Sequence, residues 1–301
     1  MNYKTGAAFR AALGSRLLNE SRHTGVPLVR LRKSVAFDRL LARLVANPQH
    51  EWVLKGGFAL QLRLEHAGGF RPRTTRAVDL HSNASRENVH RLLAEAARID
   101  LHDWAQFDIS VPTLPGHDED ALLHGALRSH VQMHVDGHLF EAFSVDIGLH
   151  DSLLMLPDIL PLPPLLAFAD IPTTCVPCHP LTQHIAEKIH AYARMYASGA
   201  STRVKDLIDL LLMAELDKAL ASNDLHYAIQ HTFELQGAMP PSRLPDPPSS
   251  WQKPYRELAR QVGLRETTLD EGLETARLFI DPVLMREAQG NWNNIHRRWM
   301  L

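Results

Sequence analysis

The chain has 301 residues, 45% of them apolar and 22% charged, enough to bury one large or two modest cores. Its formal net charge of −2 excludes a global positive field, so any nucleic-acid contact has to come from local basic patches. No stretch approaches the roughly 20 apolar residues of a membrane span, and the opening MNYKTGAAFRAALGSR lacks the apolar run of a secretory leader, so a cytoplasmic location is expected.

Helical spacing predicts helices over 6–22 and 28–47. In the second, Phe37, Leu40, Leu41, Leu44 and Val45 share one face, and Pro48 ends the pattern. From Glu51 an apolar run leads into Gly56–Gly57, read as a sharp bend where another group approaches the backbone closely. Residues 67–72 read as a loop and Thr75–Leu80 as a short strand. Ser85 reads as the N-cap of a helix through Ala97. Alternation predicts strands at Phe107–Val111, Leu127–Val135 and Leu139–Ile147, the last two joined by the hairpin signal Asp136–Gly137.

Leu156–Pro180 holds seven prolines and reads as a connector. Its Cys175 and Cys178 are read as a reduced pair rather than a redox or zinc site, since no second half-site accompanies them. Beyond it, Thr182–Tyr196 and Val204–Leu216 are predicted amphipathic helices flanking a turn at Ser198–Thr202. Further helices are expected at 225–235, 252–263 and 269–279, with a Pro-rich loop at 238–250. Helices, then a small mixed sheet, then more helices predict an α+β architecture. Its expected domains are 1–155, with the sheet, and a mostly helical 156–301.

Four segments carry chemistry together: Leu54-Lys55-Gly56-Gly57, Thr75-Arg76-Ala77-Val78-Asp79-Leu80, Ser144-Val145-Asp146-Ile147, and Ala186-Glu187-Lys188 followed by Arg203-Val204-Lys205-Asp206-Leu207-Ile208-Asp209-Leu210. Transfer of a phosphoryl or nucleotidyl group needs the triphosphate charge neutralised and the attacking oxygen held in line. Two metal ions about 3.5–4 Å apart do this, and magnesium takes carboxylate oxygens. On a strand, positions 77 and 79 face the same way, so Asp79 projects from that face and Asp146 on a neighbouring strand would add a carboxylate. Gly56 and Gly57 would offer backbone N–H groups to phosphates, and Lys188 would offset their charge.

In this order and spacing the segments resemble the AbiEii-type nucleotidyltransferase toxins of toxin–antitoxin systems, whose catalytic core is similar to that of DNA polymerase β-like nucleotidyltransferases. The resemblance spans residues 27 to 215. It implies a nucleotidyltransferase-type sheet with flanking helices, Mg²⁺ as cofactor and an NTP as substrate. It further implies an acceptor hydroxyl at the 3′ end of tRNA, blocked translation, and a cognate antitoxin as partner. Carried over residue by residue, Asp79 and Asp146 would bind metal, Lys188 would contact phosphates, and Asp206 would position the nucleophile. Lys55, Gly56, Gly57, Thr75 and Arg76 would line the nucleotide, and Thr75 would be a hydroxyl open to regulatory modification.

The departure is Ala77, where the pattern has the first aspartate of Asp-x-Asp. Alanine cannot ligate metal, so this form is expected to be nearly inactive. With every other motif residue in place, an engineered inactive variant is the favoured reading over a natural pseudoenzyme. Asp209 is read as structural, pairing with Lys205 or a neighbouring helix. Arg71, Arg73, Arg76, Arg194, Arg203 and Lys205 would supply a basic face for RNA. The C-terminal Trp292, His296, Arg297, Arg298 and Trp299 read as a terminal helix docked by its tryptophans, in preference to a base-stacking surface.

Overall fold

A computed structural model of the chain describes residues 1–67, 75, 77–114, 126–149, 153–194, 203–216 and 219–301. The predicted turn Ser198–Thr202 and the basic residues Arg71, Arg73 and Arg76 lie outside the described residues. The chain divides into two compact units, one of 1–62, 74–153 and 157–178, the other of 63–73, 154–156 and 179–301.

The first unit opens with α1 (Gly6–Thr24) and α2 (Leu28–Ala46), followed by β1 (Val53–Lys55), which runs without a break into α3 (Gly56–Ala67). Then come β2 (Ala77–His81), α4 (Arg86–Ala97), β3 (Ala105–Ile109), β4 (Leu127–Val135), β5 (His138–Gly148), β6 (Asp158–Pro161) and β7 (Cys175–Cys178). The strands form one mixed sheet in the order β3-β4-β5-β2-β1-β7-β6. The β2/β5 and β1/β7 pairs are parallel and the rest antiparallel. Alternation decides which side chains are buried: Val78, Leu80, Val145 and Ile147 are fully covered, whereas Ala77, Asp79, Ser144 and Asp146 are half-buried on the opposite face. Phe37 of α2 packs edge-on against Phe58 of α3 and Phe143 of β5, with ring centroids 5.0 Å apart in each pair.

One irregularity sets the register. The Asp136–Gly137 turn pairs Val135 with His138 and His134 with Leu139, but Met133 pairs with Glu141. Phe140 is the extra residue of a β-bulge, and from there on every partner is shifted by one. Helix α2 holds the bulge. Arg32 donates to the Phe140 carbonyl and lies over its ring at 4.8 Å, and Lys33 donates to the Ala142 carbonyl at 3.0 Å and pairs with Glu141 at 3.4 Å.

Behind the sheet lies a buried ionic cluster. Arg43 of α2, 1% exposed, forks onto Asp103 at 2.7 and 2.9 Å and donates to the Ala105 carbonyl at 2.8 Å. Arg39 bonds Asp38 and reaches Asp103 at 3.5 Å. Burial pushes the Asp38 carboxyl up, and the Arg39 charge offsets only part of that.

The second unit contains α5 (Leu181–Ala193), α6 (Val204–Ala214), α7 (Ser222–Leu235), α8 (Gln252–Val262), α9 (Leu269–Leu284) and a hairpin of β8 (Asn291–Asn293) and β9 (Arg298–Met300). The apolar run Leu207–Met213 is interrupted only by Asp209 and is buried all round, as befits a central helix.

The structure corrects four expectations. The expected bend at Gly56–Gly57 is the first turn of α3, because Gly56 alone takes positive φ (64°) and Gly57 already belongs to the helix. The Pro-rich connector contributes two strands: Pro161 ends the edge strand β6, where it costs no essential ladder bond, and Pro177 lies inside the short β7, which pairs with β6 on one side and registers with β1 at Cys178. The helix predicted to stop at residue 279 continues to Leu284 with Pro282 inside its last turn. The C-terminus is a hairpin rather than a helix, though the tryptophans do dock it: Trp292 donates to the Ala214 carbonyl at 2.7 Å and Trp299 to the Phe279 carbonyl at 2.9 Å.

Asp103→Asn is expected to lower unfolding free energy by about 3–5 kcal/mol, because it leaves the Arg43 guanidinium buried without its counter-charge. Asp38→Asn should cost less than half as much, its carboxyl already being pushed toward the neutral form. Urea unfolding at neutral pH reads both, and equal losses would contradict this account.

Candidate active site

In the first unit, register builds a row of charges. Lys55 of β1 lies opposite Asp79 of β2, Asp79 opposite Asp146 of β5, and Asp146 opposite Arg128 of β4. Directly opposed residues point to the same face, so the four side chains share it. The next row on that face is Ala77, Ser144 and His130, with Ser144 Oγ 3.4 Å from His130 Nδ1. Helix α3 starts where β1 ends, so the first-turn amides that no helix satisfies internally open beside Lys55. Gly56 is required there twice over. Its φ is +64°, and a Cβ at that position would collide with the Asp79 carboxylate.

Asp146 is not an open carboxylate. Arg128 grips it with Nε–Oδ1 at 2.6 Å and Nη2–Oδ2 at 2.8 Å, the side chains being 33% and 20% exposed. Such a fork is among the strongest charge-assisted pairs. Sequence reading missed Arg128, and hairpin arithmetic could not have found it: without the Phe140 bulge, Arg128 would stand opposite Val145.

In the second unit, α5 and α6 bring the predicted site residues Lys188 and Asp206 into one ion cluster with Asp209 and Arg203. Lys188 Nζ lies 2.7 Å from Asp206 Oδ1 and 2.9 Å from Asp209 Oδ2, and Arg203 reaches the other Asp206 oxygen at 3.6 Å. Asp206 and Asp209 are one turn apart and buried, while the Lys188 side chain keeps 17% exposure. Asp206, third residue of α6, also meets the positive end of the helix dipole. The partner of Asp209 is Lys188, not Lys205, which is exposed: Asp209 points into the interface with α5. Of the two partners expected for Asp209, the neighbouring helix is the one found.

Of the remaining candidates, Thr75 is half-buried just ahead of β2 and Arg76 lies outside the described residues. Arg297 is clamped between Glu215 and Glu266, the latter at 2.6 Å, and Trp292 is buried, so these C-terminal residues are structural. Cys175 and Cys178 stand on β7 and form no disulfide, and the second is fully buried with its thiol donating to the Val176 carbonyl at 3.6 Å.

Burial alone would depress the Lys188 ammonium, but the Asp206 and Asp209 carboxylates outweigh it and hold it above the ordinary lysine value. Stability from such a shift is complete below the ordinary value and is lost only as pH rises through the raised one. Lys188→Met, which leaves two buried carboxylates without their counter-charge, is therefore expected to cost about 3 kcal/mol or more at about pH 9, where both are ionised. Urea midpoints of the variant and the unchanged chain at that pH check this, and a cost below about 1 kcal/mol, as for a surface pair, would contradict it.

No curated protein matches the chain. Among solved structures, the nucleotidyltransferase toxin MenT4 from Mycobacterium tuberculosis H37Rv is similar in fold, with a TM-score of 0.51 at 18% identity over 76% of this chain and 70% of that one. A family model, "Nucleotidyl transferase AbiEii toxin, Type IV TA system", matches residues 39–293. With the carboxylate row and the lysine–carboxylate cluster lying inside those bounds, the chain belongs to the AbiEii nucleotidyltransferase toxin family.

Proposed function

We propose that this architecture transfers a nucleotide from an NTP to an acceptor hydroxyl, with the tRNA 3′ end as acceptor and blocked translation as the outcome, and that the Ala77 form is close to inactive. The observation that carries the reading is the row Lys55–Asp79–Asp146–Arg128 beside the opening turn of α3. Lys55 and the Gly56 and Gly57 amides would receive phosphate oxygens. Asp79, kept in place against Gly56, would orient the reacting end of the nucleotide. Lys188, an ammonium throughout the physiological range, serves as a fixed positive charge for phosphate and not as a base. Asp206, engaged by Lys188 and Arg203, would hold the acceptor hydroxyl. A cognate antitoxin is the expected partner.

Mg²⁺ is the cofactor such chemistry ordinarily uses, and the residues present do not fit a two-metal centre. Ala77 offers no oxygen, and both Asp146 oxygens are taken by Arg128. Among the described residues no group of three His, Cys, Asp or Glu side chains is arranged to hold a metal ion. No helix there is long and apolar enough to cross a membrane.

Ala77→Asp is expected to raise labelling of RNA by radioactive NTP in the presence of Mg²⁺ by about 10²-fold or more, and to make expression toxic. Asp79→Asn, Lys188→Met or Asp206→Asn on that background should each return labelling to the starting level. Label on protein instead of RNA would redirect the acceptor. No label on either, and no slowed growth, would leave a non-catalytic binding protein as the reading.

A further inference from the structure

The disagreement between these residues and a metal centre has a specific cause. On the sheet face, Asp79 and Asp146 share one row with Lys55 and Arg128, and Arg128 is paired with Asp146. A hard divalent cation is held by several carboxylate oxygens arranged around it. Here one expected ligand is a methyl group, and a second has both oxygens bound by a guanidinium. The pair is rigidly placed: the Phe140 bulge, pinned by Arg32 and Lys33 of α2, fixes the register that puts Arg128 opposite Asp146. A planar guanidinium matched to a carboxylate in this way is a directional cation that needs no recruitment from solution.

We propose that Arg128 stands in for a metal ion in this chain: its side chain supplies the positive charge at Asp146, the row as it stands binds no divalent cation, and a carboxylate at position 77 creates a site that stays weak for as long as Arg128 grips Asp146. Arg128 is thus a positioning residue that sets the metal requirement of the site. The inference rests on the row described above and not on nucleotidyl transfer.

The test is a titration of the full chain with Mn²⁺ alone, free ion being read by electron paramagnetic resonance, so a failure of the transferase reading does not touch it. The unchanged chain is expected to show no saturable binding below about 10⁻³ M, and Ala77→Asp to bind weakly. Ala77→Asp with Arg128→Gln should bind at least about 10-fold more tightly than Ala77→Asp alone. Adding Asp79→Asn or Asp146→Asn to that double variant should abolish the site. Arg128→Lys on the Ala77→Asp background keeps a cation without the fork. It should fall between the two and decides the matter if the glutamine variant does not fold by circular dichroism. Saturable Mn²⁺ binding by the unchanged chain that Asp79→Asn removes would overturn the proposal. So would equal affinity with and without Arg128.

Discussion

Parallel pairing of β2 with β5 is the constraint on which the first unit rests. Two strands far apart in sequence lie side by side at the middle of the sheet, with Val78, Leu80, Val145 and Ile147 buried on one face. A slip of either strand by one residue would turn its own two apolar side chains outward and bury its aspartate, Asp79 or Asp146, in their place. The cost of exposing that apolar pair and burying a carboxylate is what fixes the register, and the register is what sets the two acids shoulder to shoulder.

The bulge at Phe140 extends that control to β4. An antiparallel hairpin would otherwise continue with the partners dictated by its tight turn, and Arg128 would face a valine. One extra residue, its carbonyl taken by Arg32, moves the arginine onto a carboxylate. A local irregularity of backbone hydrogen bonding thereby changes the electrostatics of a site several residues away. The buried Asp38, Arg39, Arg43 and Asp103 cluster serves α2 in a different way: charges that deep persist only because each is matched, and they tie the helix to the start of β3.

The second unit reaches its own charge cluster by helix geometry. Residues one turn apart on α6 present two carboxylates to a single ammonium on α5. Two buried acids around one lysine hold the ammonium charged. That is why Lys188 suits a fixed positive role, and why its loss would leave like charges facing each other in a water-poor setting.

The sequence by itself determined the helices with strong apolar periodicity, the Asp136–Gly137 hairpin, the mixed character of the architecture, and membership of a family through the ordered motifs around Gly56, Asp79, Asp146, Lys188 and Asp206. These are local in origin, because periodicity, turn chemistry and motif spacing are written in neighbouring residues. Tertiary structure alone decided that the Pro-rich segment yields two strands, that the C-terminus is a hairpin, that Asp209 joins Lys188, and that Arg128 holds Asp146. Each of those depends on a partner distant in sequence or on a one-residue shift of register, and neither leaves a trace in local patterning.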